Sequence, residues 1–317
     1  MFNAKSDKTK YMMRSYGIYF VLIIMIVFMS IASPTFRTKN NIISVLQQIA
    51  TNGLISIGMC FVITAGGIDL SVGSMVGLAG VMTSLLMKNG WNMYSAIAVT
   101  VLVLCCCGFI NGFLIAKFGF FPFVVTLAMQ LVIRGACYIV SGGYQIAIAN
   151  LNYLKIYSYR IFGILPVPTL ILIVMLILAY ILLHRTTYGR YVYAVGGNPN
   201  AAIASGVSIL WIKTFTFVIS AFCTALAGII FASKVAAGMP NLGTGYEGDA
   251  VAACVIGGTS FAGGIATIPG TLAGIIIIGL IYNGMNMLGI NSYWQTISKG
   301  LLIIGAISLD MVMNKRK

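Results

Sequence analysis

Long apolar runs, separated by short polar or glycine-rich gaps, recur along the chain from 17 to 309. A membrane-crossing helix needs about 20 mostly apolar residues, because ~1.5 Å of rise per residue must cover a hydrocarbon core about 30 Å thick. Reading for such runs predicts ten spans: Gly17–Ala32, Ile49–Ala65, Val72–Met87, Tyr94–Ile115, Phe120–Val140, Pro166–Leu183, Phe215–Ala232, Ala250–Ile268, Gly270–Leu288 and Tyr293–Leu309. The third, eighth and ninth are short or rich in glycine. They read as candidates for broken or re-entrant segments, which survive at membrane depth only when buried in protein or lining a cavity. The first run also has the look of a signal peptide, since Lys5, Lys8, Lys10 and Arg14 precede it and Ser30-Ile31-Ala32 resembles a cleavage site. With so many later spans, an uncleaved first helix is the expectation.

Composition agrees with the pattern. Of 317 residues, 60% are hydrophobic and 8% charged, and the mean hydropathy is +1.00, whereas an ordinary soluble domain is about 25% charged. Surface-to-volume scaling leaves a soluble fold no place to hide so much apolar surface. The expected architecture is an all-α integral membrane protein with one transmembrane domain over 1–317. It would have an interior tail at 1–16 and a long polar interior segment at 184–213.

The net charge of +14 is spread over the tails and the gaps between runs, which suits anionic lipid better than the clustered basic face that nucleic acid requires. Placing the N-terminus in the cytoplasm puts eleven lysines and arginines inside and six outside, with Arg134 and Lys299 within apolar runs. That bias predicts both termini inside, although Arg37 and Lys39 oppose it.

Several chemistries are excluded. His184 is the only histidine, and the seven cysteines all lie in apolar runs without a C-x-x-C pair, so zinc and redox sites fail on spacing. No G-x-x-x-x-G-K-[ST] loop occurs. A nucleotide bound in the P-loop manner would therefore have to sit on another subunit.

Asp69 is the sharpest single residue. It lies in Gly66-Gly67-Ile68-Asp69-Leu70-Ser71-Val72-Gly73 between two apolar runs. A carboxylate at membrane depth costs a few kcal/mol and faces a cavity or a partner. It reads equally as a polar elbow beside a transport path and as an acid capping the helix that follows. Arg134 would pair with an acid or with backbone carbonyls, and Lys299 would snorkel. Gly257-Gly258-Thr259-Ser260-Phe261-Ala262-Gly263-Gly264 echoes the first glycine motif, as in transporters built from two halves; two glycine-rich stretches also agree by chance. Gly73/Gly77, Gly108/Gly112 and Gly270/Gly274 have the spacing of close helix crossings.

In the interior segment, Asn198-Pro199 signals a helix start. Ala201 to Ser205 would form a short helix with a small-residue face, stopped at Gly206. Such a helix enters a groove on another protein, and the alternative is a structured connection. The segment Asn241–Asp249 reads as an outer loop, either solvated or meeting a soluble partner.

These motifs, together with Gly189-Arg190-Tyr191-Val192-Tyr193-Ala194-Val195-Gly196-Gly197-Asn198 and Gly243-Thr244-Gly245-Tyr246-Glu247, resemble the permeases of bacterial monosaccharide ABC importers. The likeness runs from about Pro34 to Asp310 in the same order. It is more specific for the family than for the sugar: ribose is nearest, but galactose, xylose, arabinose, allose and autoinducer-2 permeases share the motifs.

The resemblance implies a fold similar to vitamin B12-type importer permeases, a homodimer in the bacterial inner (plasma) membrane and a periplasmic or lipid-anchored sugar-binding protein. It also implies a cytoplasmic ATPase that carries the ATP and magnesium, so that this chain has no cofactor and is no enzyme. Expected pathway residues are Gly67, Asp69, Ser71, Asn111 and Arg134. The ATPase would meet Gly189, Arg190, Tyr193, Gly196, Gly197, Asn198, Ala201, Ala202, Ser205 and Gly206, and the binding protein Tyr246, Glu247 and Asp249. B12-type permeases carry inverted half-repeats, whereas ten simple spans would make the two glycine motifs parallel. The rival readings are an ion-coupled secondary transporter, for which Asp69 is almost the only carrier, a membrane enzyme, and a scaffold without a path.

Overall fold

A computed structural model describes residues 18–20 and 22–314; the 1–16 tail and Gly17 lie outside the described residues. The elements are helical almost throughout. They are α1 (Ile18–Ala32), α2 (Lys39–Thr64), α3 (Val72–Lys88), α4 (Met93–Phe118), α5 (Pro122–Ser141), α6 (Leu151–Ser158), α7 (Val167–Arg185), α8 (Thr187–Gly197), α9 (Pro199–Ala204), α10 (Ile209–Val235), α11 (Tyr246–Ile256), α12 (Ile268–Met287) and α13 (Ser292–Asn314). Among the described residues, α2, α4, α5, α7, α10 and α12 are long and apolar enough to cross a membrane, while α1 and α3 are apolar but shorter.

Local chemistry sets the boundaries. Asn92 caps α4 by accepting from the Tyr94 amide at 2.9 Å, and Gly119 ends it with φ +70°. Pro122 opens α5 and Gly142 closes it in the left-handed region. Thr267 caps α12 through the Gly270 amide at 3.1 Å. Each cap satisfies backbone groups that the helix itself leaves unpaired.

The predicted eighth span does not form as Ala250–Ile268. Helix α11 begins earlier and stops at Ile256, and residues 257–267 are a turn-rich loop. Gly258, Gly263 and Gly264 all take positive φ there, which an α-helix does not accommodate. The ninth, by contrast, is the continuous helix α12 despite its glycines.

Helices α2, α10 and α12 form the interior, with 83%, 67% and 67% of their apolar windows buried, against 17% for α5 and 28% for α4 and α7. Helix α10 packs against α4, α2 and α3. Two short antiparallel pairings, β1 (Ile146–Ala147) with β4 (Ala237–Gly238) and β2 (Arg160–Ile161) with β3 (Leu165–Pro166), tie down the end opposite α8 and α9.

Two breaks position the site. After α2, residues 65–71 turn back into the protein and α3 starts beside the middle of α10, where Asp69 reaches Ser220. After α10, residues 236–245 run back alongside α3 until Gly243 meets Gly73, and α11 starts there. Helix α3 then runs with α10, toward Gly80 against Ala232, while α11 runs with α2, toward Ala253 against Gly274 and Cys254 against Ser56. The N-termini of α3 and α11 therefore meet inside the bundle and the helices diverge in opposite directions.

The two sequence-similar glycine motifs close on the α8–α9 end instead. The Gly264 amide donates to the Thr64 carbonyl at 2.9 Å, and Gly263 lies against Gly66 and Gly196.

Candidate functional site: a broken-helix junction, a polar cavity and a terminal helix pair

The turn entering α3 gathers a buried polar knot. The Asp69 carboxylate accepts from the Ser71 amide at 3.0 Å, the Ser71 hydroxyl at 2.5 Å and, through its other oxygen, the Ser220 hydroxyl at 3.1 Å. Asn111 on α4 donates to the Ser71 hydroxyl at 3.0 Å. All four side chains are fully buried, and three donors offset the desolvation of a carboxylate that would otherwise be prohibitive in apolar surroundings. Gly67 lies beside them against Val62 and Phe217. Four of the expected pathway residues, Gly67, Asp69, Ser71 and Asn111, are thus brought together, but as a sealed clamp joining α3, α4 and α10. Ser220 went unnoticed in the sequence because a lone serine in an apolar helix carries no signal.

Arg134, the fifth, pairs with backbone rather than with an acid. One guanidinium nitrogen donates to the Leu242 carbonyl at 3.0 Å and to the Pro240 carbonyl, and the other donates to the Gly73 carbonyl at 3.0 Å. The planar fork suits this task, since it offers several fixed donors with little entropy to lose. Gly73 makes room for the Glu247 carboxylate at the start of α11 and for the Gly243 carbonyl, and Gly77 for this guanidinium and the Pro240 and Leu242 carbonyls. Gly108/Gly112 and Gly270/Gly274 do admit neighbouring helices, α10 and α11.

The Tyr246, Glu247 and Asp249 assignment to an outer loop is corrected. They form the first turn of α11 inside the bundle, where Asp249 is only 5% exposed and Tyr246 stacks on Phe231 with centroids 5.4 Å apart. Lys299 does not snorkel either. It ion-pairs with Asp249 at 2.9 Å and donates to the Gly245 carbonyl, while the Tyr282 hydroxyl donates to Asp249 at 2.7 Å.

A cavity of about 280 Å³ opens over this turn, lined by Gln48, Thr51, Asn52, Phe231, Lys234, Tyr246, Asp249, Tyr282, Ser292, Gln295, Thr296 and Lys299. Small-molecule sites begin near ~300 Å³. Aromatic faces beside amides, hydroxyls and one ion pair suit a small polyhydroxylated ligand, whose C–H face stacks while its hydroxyls exchange hydrogen bonds. Most of this lining was missed, though its signal was present: Gln48/Thr51/Asn52 and Ser292/Gln295/Thr296/Lys299 recur at helical spacing, each a polar stripe on an apolar helix.

The interior segment folds as α8 and α9. Asn198 caps α9, accepting from the Ala201 amide at 3.0 Å, and Gly206 with φ +80° follows its last turn. The expected partner-facing residues divide. Gly189 packs on the Leu183 carbonyl, Gly196 on the Thr64 carbonyl, Ala202 is 3% exposed, and the Tyr193 hydroxyl donates to the Ala266 carbonyl at 2.9 Å. These four fix the segment to the bundle. Arg190, Gly197, Asn198, Ala201, Ser205 and Gly206 face outward.

The comparisons with known proteins agree with one another. Residues 41–307 match the family described as branched-chain amino acid transport system / permease component. The ribose import permease protein of Bacillus subtilis (strain 168) is 38% identical over 299 residues, covering 94% of this chain and 93% of that protein. The ribose import permease protein of Escherichia coli (strain K12) is 37% identical, covering 91% of each. The D-allose transport system permease protein of the same strain is 36% identical, covering 95% of this chain and 92% of that protein. No solved structure matches.

Proposed function

We propose that this chain, which belongs to the transport-system permease family matched over residues 41–307, is the membrane subunit of an ATP-driven monosaccharide importer, with ribose as its first candidate substrate. It is a transport subunit and not an enzyme. The names of its relatives support ribose ahead of allose and arabinose.

One observation carries the mechanism. Helix α11 presents Tyr246 and Asp249 to the polar cavity at one end, and at the other it leads into Gly263 and Gly264, packed on Gly196, Gly197 and Thr64. A displacement of α8–α9 by a cytoplasmic ATPase is thereby passed along one short helix to the cavity. The ATPase, binding its own ATP and magnesium, docks on the outward face of α9. A sugar-binding protein delivers substrate at the opposite end. The α8–α9 end faces the cytoplasm with both termini, in a bacterial plasma membrane. The chain crosses ten times, two of the crossings being composite: 65–71 with α3, and 236–245 with α11. The head-to-head start of α3 and α11 is an inverted arrangement, which favours the B12-type comparison. A second copy completes the pathway.

The test is reconstitution of this chain with its ATPase and binding protein in liposomes. ATP-dependent accumulation of labelled ribose is expected. Uptake that persists without ATP and collapses with a proton ionophore would instead favour the ion-coupled reading, in which Asp69 is the carrier.

A further inference from the structure

A groove of about 520 Å³ runs between α1, α2, α7 and α12, on a face away from the sugar cavity. Its wall changes character along its length. At the end opposite α8–α9 lie Arg37, Asn41 and Thr169; below them the lining is aliphatic, from Ile42 and Leu280 down to Leu176 and Leu272. Three facts call for an occupant. The Thr169 hydroxyl is buried in a residue 5% exposed and has no hydrogen-bond partner. Arg37 is exposed and has no ion pair among the described residues. No acidic side chain lines the groove.

We infer that this groove holds one acyl chain of an anionic phospholipid, with its phosphate on Arg37 and its glycerol ester level with Thr169. The lengths agree. Asn41 to Ile49 on α2 and Leu272 to Leu280 on α12 each span eight residues, about 12 Å at ~1.5 Å per residue. That distance takes most of one leaflet's share, about 15 Å, of the hydrocarbon core. A largely apolar slot with a cation at its mouth matches a lipid at both ends, whereas a sugar finds few groups there to exchange hydrogen bonds with. A lipid wedged against α2 and α12, which carry α11 between them, bears on the helix that links cavity and ATPase. The orientation proposed above assigns this lipid to the outer leaflet, but its binding does not depend on that assignment.

The test is native mass spectrometry of the full-length permease released from nanodiscs of equal phosphatidylglycerol and phosphatidylcholine with matched chains. Wild type is expected to retain phosphatidylglycerol roughly five-fold over phosphatidylcholine, the scale of one arginine acting on an anionic headgroup. Arg37→Gln should bring the ratio close to one while lipid is still retained. Ile173→Trp and Ile276→Trp, which fill the slot, should abolish retention of either lipid, with monodisperse gel filtration verifying that the variants fold. Equal retention of the two lipids by wild type, a preference that survives Arg37→Gln, or retention unchanged by both tryptophans would each overturn the inference. Arg37 is on the surface, so its variant remains informative if the tryptophan variants fail to fold.

Discussion

Lys299 on α13 and Asp249 on α11 form a 2.9 Å ion pair at the floor of the polar cavity, with side chains 20% and 6% exposed. Removing one member of a buried pair leaves an uncompensated charge at a cost of about 3–5 kcal/mol, whereas replacing both with apolar groups is often neutral. Lys299→Met should therefore lower the thermal stability of the purified permease sharply, and Lys299→Met with Asp249→Leu should restore it. Transport should stay low in both if the pair serves the sugar, a split that melting curves and uptake assays on the same preparations would show.

The cavity lining can be tested without touching that pair. Asn52→Leu and Thr296→Val remove polar atoms at nearly constant shape. Two lost hydrogen bonds at about 1 kcal/mol each should raise the KM for ribose uptake about thirty-fold while ATPase stimulation by the loaded binding protein persists. An unchanged KM would remove the cavity from the pathway.

Ala201 and Gly196 separate docking from anchoring. Ala201 is exposed on α9, whereas a side chain at Gly196 would run into the Thr64 carbonyl. Ala201→Trp is expected to abolish ATPase coupling and leave the melting temperature unchanged. Gly196→Val should damage both. If Ala201→Trp still couples, the outward face of α9 is not the docking surface.

Ser220 tests the knot. Ser220→Ala leaves one Asp69 oxygen buried without its 3.1 Å donor, a loss of about 1–3 kcal/mol. A correspondingly lower unfolding temperature is expected, with added ribose shifting wild type and variant equally, because the knot is sealed from the cavity. A smaller shift by ribose in the variant would instead place Asp69 in the pathway.

The apolar runs determined the membrane class and the long helices α2, α4, α5, α7, α10 and α12 but not α6 or α8, because lipid imposes a length and a polarity that a sequence must display locally. The Asn198-Pro199 pair also announced the start of the short helix before Gly206, since the cap and the helix start are local chemistry. What the sequence did not show was pairing across distance. Asp69 finds Ser220 from 151 residues away, and Arg134 finds carbonyls 106 and 108 residues on; no local pattern encodes these meetings. Tyr246, Glu247 and Asp249 read as an outer loop because acids beside glycines are polar wherever they occur. Only the tertiary structure, by folding residues 236–245 back along α3 and supplying Lys299 and Tyr282 as partners, makes it less costly to bury that turn than to expose it.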